Sequence, residues 1–325
     1  MQTTRPFRFA VQSFTAGSAA GWRAKARMAE DLGYSSFLLA DHYIGPGPAL
    51  TATNHPIQEL AAIPAIAVAA EATKTIHVGC RVLCVDYHQP VVLAKEAATL
   101  DFLSGGRLEL GLGAGWLQGE YAAMGIQFDP PARRIRRLAE VIALVKAHMG
   151  PGPVTIDGEE VRASGFEGLP KPIQQPHPPI MVGGGSKRVL QLAAREADIV
   201  SLNFNNRAGV IGPDGVGSSS PEQTHKKISW VREAAGSRAA DLELEIGAYF
   251  TFVTDQSRAT AAAIGQTFGM TADEMIHFPH ALIGSIDEIC EELLRRRADY
   301  GISYYTVGDG VAEQFAPVVA RLSGK

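Results

Sequence analysis

Ile76–Tyr121, IHVGCRVLCVDYHQPVVLAKEAATLDFLSGGRLELGLGAGWLQGEY, holds two strand patterns with a helix pattern between them. Ile76, Val78, Val82, Leu83 and Val85 form a mostly β-branched apolar run, the composition of a strand buried on both faces. Gln89-Pro90 ends it, and Pro90 suits a first helical turn, where its missing N–H is not needed. Val91 to Leu103 reads as a helix closed by Ser104-Gly105-Gly106, glycine being suited to the left-handed position past a helix end. Arg107 to Leu112 is a second apolar strand. It runs into Gly111, Gly113 and Gly115, where bare backbone lets a ligand approach. Strand, helix and strand joined this way pair in parallel.

The same alternation extends outward in both directions. Upstream, Phe7 to Gln12 is a strand. Ser18 to Leu32 is a helix with Trp22, Ala26, Ala29 and Leu32 as its buried stripe, and Ser35 to Ala40 is a second strand. Asp41 to Pro56, rich in Gly, Pro, Thr and Asn, is a surface connection placed to cover a site. Ile57 to Thr73 is a helix with a kink or break expected at Pro64. Downstream, Trp116 to Ala132 shows little periodicity. Arg133 to Met149 is an amphipathic helix, with Ile135, Leu138, Ile142, Val145 and Met149 at spacings of three and four. Residues 150–179 break the alternation with a hairpin around Asp157-Gly158, read as an insertion over one end of the fold.

Ile180 to Gly183, Asp198 to Leu202, Ile246 to Val253 and Ile302 to Val307 supply four more strands. Between and after them lie helices at Ser186–Glu196, Pro221–Ala235, Ile286–Tyr300 and Val311–Leu322. The third of these offers Glu291–Arg295 and Glu292–Arg296 pairs at i,i+4. Asn203 to Ser220, Gly- and Ser-rich, is a lid candidate. The pattern predicts an α/β fold, a single-domain (β/α)8 barrel, over an open doubly wound sheet.

The chain has 325 residues, 46% of them hydrophobic, with a net charge of −4. That is ample for one large core. Without a basic block, nothing points to nucleic acid or to an anionic membrane surface. The longest apolar stretch, Leu60 to Ala70, is too short to span a bilayer. The beginning, Met1-Gln-Thr-Thr-Arg-Pro, lacks the apolar centre of a signal peptide, so the cytoplasm is the expected home. Three cysteines make no disulfide framework. Cys80 and Cys84, without partners at zinc spacing, read as buried thiols, so no metal site is expected. The apolar second and third helices suggest a homodimer face.

LAKEAATLDFLSGGRLELGLGAGW resembles the signature segment of the bacterial-luciferase-like superfamily of flavin- and deazaflavin-dependent oxidoreductases. FLLADHY at 37–43, PPIMVGGGSKRVLQLAAREADIV at 178–200 and the strand at 302–307 resemble the same family, so the likeness covers nearly the whole chain. Within the superfamily the chain most resembles the F420-dependent branch. The resemblance implies the barrel, F420 or alternatively FMN as cofactor, and a small organic substrate.

In such barrels the site lies at the C-terminal ends of the strands, and four of those ends carry unusual chemistry. Asp41-His42 follows the second strand: a titratable His whose neighbouring Asp is placed to tune it, or a capped loop His beside a structural Asp. The resemblance places His42 beside the deazaflavin. Gly183-Gly184-Gly185-Ser186-Lys187 combines free N–H groups, a positive helix end and a cation, which together hold a phosphate, or it is only a tight strand–helix turn. The resemblance makes it the cofactor-phosphate loop. Arg133, Arg134, Arg136 and Arg137 offer another phosphate site or, more simply, a solvated face.

Gly113-Ala114-Gly115-Trp116 ends the fourth strand. It is formally Rossmann-like, but no acidic residue follows at the dinucleotide spacing. Trp116 stands where some F420-dependent sugar-phosphate dehydrogenases carry a catalytic Glu, and Glu120, four residues on, is read as an acid or a structural anchor. Arg81-Val82-Leu83-Cys84 ends the third strand. Here the resemblance implies a non-proline cis peptide behind the deazaflavin. His277 and His280 read as surface histidines. The expected activity is hydride transfer between F420 and an unidentified substrate. The alternatives are an FMN-dependent monooxygenase using O2, with His42 and Glu120 as the acid candidates in either case, and a non-catalytic flavin- or metabolite-binding barrel.

Overall fold

Strands β1 (Arg8–Ser13), β2 (Ser36–Leu39), β3 (His77–Cys80, resuming at Leu83–Cys84), β4 (Leu108–Gly113), β5 (Ile180–Gly184), β6 (Ile199–Leu202), β7 (Glu243–Gly247) and β8 (Ile302–Gly308) form the centre of the chain. Each pairs in parallel with the next, and β8 pairs with β1, so the sheet closes into a barrel. Helices α1 (Ala19–Asp31), α2 (Ala62–Ala72), α3 (Pro90–Ser104), α4 (Pro131–Met149), α5 (Lys187–Glu196), α6 (Pro221–Ala235), α7 (Ile286–Tyr300) and α8 (Ala312–Leu322) follow the strands in turn. This is the predicted α/β (β/α)8 barrel, a single domain. The computed structural model describes residues 5–325, and the first four residues, part of the stretch read for a signal peptide, lie outside them.

The barrel interior is layered. Near the strand starts, Arg8 bonds Glu109 and Glu243, the latter at 2.7 Å, and the Tyr304 hydroxyl donates to Glu109 at 2.7 Å. Above lies an apolar layer of Ala10, Leu38, Met181, Ile199 and Tyr304, with Val82 packed against it. Towards the strand ends comes a polar layer of Gln12, Arg81, Ser201, Glu245 and Thr306, each at most 6% exposed. The larger apolar core lies between the sheet and the surrounding helices, as the apolar strands and one-sided helices require.

Five expectations are corrected. The second helix begins at Ala62, not Ile57, so Pro64 falls in its first turn, where a missing N–H costs no bond, and no kink follows. The aperiodic stretch 116–132 contains a helix, Gln118–Met124, too short to show a period. The seventh predicted strand is two. Barrel strand β7 starts at Glu243, and Phe250–Val253 leaves the barrel to pair with Ala281–Gly284, an element not predicted. Those two strands pack over a separate apolar cluster with Phe204, Val216, Met275 and Phe278. The hairpin, Pro153–Asp157 against Arg162–Glu167, lies along α4 and not over a barrel end. Its Glu160 meets Arg133, Arg136 and Arg137 near the start of the helix, and Lys171 reaches the His148 carbonyl near its end. In α7, Glu292 pairs with Arg296 as expected, but it also takes Arg295, three residues away.

Candidate functional site

His42 and Glu120 meet at the mouth formed by the strand ends, with Nδ1 of His42 2.7 Å from Oε2 of Glu120. His42 follows β2, and Glu120 sits in the first turn of the helix after β4. Glu120 has no exposed surface. Its other oxygen accepts the Tyr43 N–H at 2.6 Å, and the Tyr87 hydroxyl donates to Oε2 at 2.9 Å. Burial alone would raise this carboxyl. The hydrogen bond and charge of His42, with the Tyr43 and Tyr87 donors, outweigh burial and hold it below the ordinary carboxylate range. Glu120 is therefore both anchor and anion: it fixes the loop after β2 and orients the imidazole.

Asp41 does not tune His42. It is 2% exposed, accepts the Cys84 N–H at 2.9 Å and pairs with Nε2 of His88 at 2.8 Å. Adjacent residues on an extended chain point to opposite sides, which separates Asp41 from His42. Trp116 is half-buried beside the pair, its ring 6.2 Å from that of His42 and nearly perpendicular to it. Its loop is held from below by Arg134, which donates to the carbonyls of Ala114, at 3.0 Å, and Gly115.

The peptide between Arg81 and Val82 is cis, within the span expected to carry one. Arg81 is buried in the polar layer, with Nε donating to Glu245 at 2.8 Å and Nη1 to the Tyr249 hydroxyl at 3.1 Å. Burial lowers its proton affinity, but Glu245 and Tyr249 outweigh that and raise it, so the guanidinium is cationic. Val82 fills the space left by the glycines: a Cβ on Gly113 would lie 2.6 Å from one of its methyls, and one on Gly183 3.3 Å away. Leu83 packs into the core. Gly115, at φ +69°, faces the Tyr121 hydroxyl and the Cys84 sulfur, which a Cβ would overlap. The expected bare-backbone approach is thus occupied from within: Gly111 lies against the Cys80 carbonyl, and Gly113 and Gly115 admit side chains of this chain.

The Gly183–Lys187 loop joins β5 to α5. Gly185 lies under the backbone carbonyls of Asn203 and Phe204, too close for any side chain. Ser186 occupies the N-cap position without a side-chain cap, and among the described residues its N–H has no protein acceptor. Lys187 is exposed, its ammonium 5.9 Å from the Trp230 ring and not folded over the loop. The four arginines of α4 form neither a phosphate site nor a merely solvated face. Arg133, Arg136 and Arg137 pair with hairpin and loop carboxylates, and Arg134 is buried.

His277 is exposed, as expected, but His280 is 1% exposed. Its Nδ1 bonds the Gly247 carbonyl at 2.7 Å, and its ring lies 5.3 Å from Tyr249, parallel within 9°. Burial, then the charge of Lys227, hold it well below the usual His range. Sequence reading missed Tyr87, His55, Tyr249 and Glu245. Only Glu245, a charge inside an apolar strand, left a signal. Burial pushes the Cys80 and Cys84 thiols up, which makes them poor nucleophiles.

The polar layer beneath the mouth has spare bonding capacity: Nη2 of Arg81, Oε2 of Glu245 and Oγ of Ser201 are buried without a protein partner. These three atoms are sealed from the surface, whereas the unpartnered Ser186 N–H at the start of α5 fits an anionic oxygen such as a phosphate's.

A model of the luciferase-like monooxygenase family matches residues 3–299. The FMNH2-dependent dimethylsulfone monooxygenase of Pseudomonas putida is 33% identical over 121 residues, 37% of this chain and 33% of that protein. The F420-dependent glucose-6-phosphate dehydrogenase of Amycolatopsis mediterranei is 30% identical over 174 residues, 52% of this chain and 49% of that protein. The chain spans between 33% and 64% of the length of the curated relatives it matches. Among solved structures, a monooxygenase from Streptomyces bottropensis superposes with a TM-score of 0.74 at 22% identity, covering 97% of this chain and 98% of that one.

Proposed function

The chain belongs to the luciferase-like monooxygenase family, and from that premise we propose that it is an F420-dependent oxidoreductase acting on a small organic substrate. The observation that carries the proposal is the His42–Glu120 bond at the barrel mouth. It supplies an oriented imidazole whose other nitrogen has no protein partner among the described residues. The deazaflavin, when bound, supplies hydride chemistry. The residues of this chain do the rest. Ser186 and the neighbouring amides hold the phosphate at the start of α5. Val82 backs the ring, and Trp116 and Tyr249 border it. His42, hydrogen-bonded to Glu120, gives up or takes the proton that balances hydride transfer.

A second reading, an FMN-dependent monooxygenase, is favoured by the Pseudomonas relative at 33% identity. The two separate in one experiment: titration of the apo protein with F420, FMN and their reduced forms, followed by fluorescence. Tight binding of F420 is the expected result. Tight binding of FMN alone reverses the order of the two readings.

A further inference from the structure

His55 lies within the loop between β2 and α2, and nothing in its sequence context marks it. The fold delivers it to His42. Asn54, just before it, is a non-glycine residue at φ +56°. The Asn54 side-chain amide donates to the Ile211 carbonyl at 3.0 Å, and the Ile211 N–H donates to the Thr53 carbonyl at 3.1 Å. The turn that carries His55 is thus stitched to the 203–220 loop across the mouth. The ring centroids of His55 and His42 are 3.9 Å apart.

The hydrogen bonds settle which nitrogens carry protons. Nδ1 of His55 lies 2.7 Å from the Pro56 carbonyl, which only accepts, so that nitrogen bears the hydrogen. A neutral ring then keeps its lone pair on Nε2. Nδ1 of His42 faces the Glu120 carboxylate in the same way. Among the described residues neither Nε2 has a protein partner, and neither is among the sealed buried atoms. Two imidazoles at this separation do not both carry a charge, and the carboxylate of Glu120 faces His42 and not His55. Burial, then the charge of His42, push the pKa of His55 down to about 3. The other rings facing His55 are Trp116 and Phe14, which carry no charge.

We propose that His55 is a second ligand-facing residue of the mouth: a neutral imidazole whose free Nε2 accepts a hydrogen bond beside His42, so that the mouth selects a reacting molecule that carries a hydroxyl. A hydroxyl donates to that nitrogen, which neither a carboxylate nor a ketone does. The hydroxyl assignment rests on the oxidoreductase reading above; the form and accessibility of His55 do not.

Labelling with diethyl pyrocarbonate, which acylates only unprotonated imidazole nitrogen, tests the second part. The full chain without cofactor is labelled at about pH 5, where ordinary histidines are mostly protonated, and mapped by mass spectrometry. His55 is expected to react several times faster than the exposed His225 and His277. Equal or slower reaction overturns the assignment, whether or not F420 or FMN binds.

The hydroxyl selection is tested by F420 reduction with a panel of primary and secondary alcohols. His55→Gln keeps an acceptor, and its KM should stay near that of the wild type. His55→Phe keeps the stack but loses the acceptor, and its KM should rise at least about tenfold. Equal KM in the two variants, or no alcohol turned over by the wild type, overturns the hydroxyl selection.

Discussion

His42 earns its role from Glu120, 78 positions away in the chain. His42→Ala is expected to lower turnover at least about tenfold, a general acid typically contributing about 10²–10⁴-fold, while changing the cofactor Kd far less. Measuring kcat and Kd separately checks this, and normal turnover removes the acid role. Glu120→Gln bears on stability as well. The folded pKa of Glu120 lies below its ordinary value of 4.5. Its contribution is therefore present above that value and is lost as pH falls through the folded pKa. The stability gap between wild type and Glu120→Gln in urea titrations should narrow as pH falls below 4.5; a constant gap would mean that the carboxylate charge contributes nothing.

At the scale of elements, the mouth is held by loops fastened to buried groups. Lys227 on α6 is 3% exposed, and its ammonium donates to the Asn203 carbonyl and the Ser219 hydroxyl, both at 2.7 Å. Those two acceptors bracket the 203–220 loop. With no carboxylate partner, burial pushes the Lys227 pKa from 10.5 down to about 7. Between those two values the unfolded chain binds more protons than the folded one, so this residue makes stability rise with pH across that window. Wild type measured against Lys227→Met should gain stability from pH 7 towards 10.5, and a flat difference would mean that the ammonium is solvated. The start of α5 makes a separate claim. Lys187→Ala should weaken cofactor binding by about 1–3 kcal/mol if the ammonium swings from Trp230 to the phosphate; an unchanged Kd leaves the phosphate to the Ser186 amide alone.

For the whole molecule, the outer face of α3 stands out. Val92, Phe102 and Leu103 are 52%, 51% and 72% exposed, and Val92 and Leu103 lie on one side of the helix. We propose that this face forms a homodimer interface, where apolar side chains leave water. Leu103→Glu is expected to yield monomers in sedimentation velocity runs; a wild-type chain that is already monomeric would remove the interface. No helix of the described residues is long and apolar enough to cross a membrane.

The sequence by itself determined the order and type of the barrel elements. Hydrophobic period is local and survives in any fold that buries one face of each element. Pro221–Ala235 and Ile286–Tyr300 were readable to the residue because each follows a serine cap and ends at a glycine. The family likeness of its Gly-rich turns located the mouth. Tertiary structure alone decided what the mouth contains. The partners of His42, Arg81 and His55 lie in other elements and meet only when the barrel closes. The glycines after β4 looked open to a ligand, yet Val82 and Tyr121 fill that space from elsewhere in the chain. The charged layer of Arg8, Glu109 and Glu243 was invisible for the same reason: a buried charge is tolerated only beside its partner, and pairing across a closed sheet has no period to read.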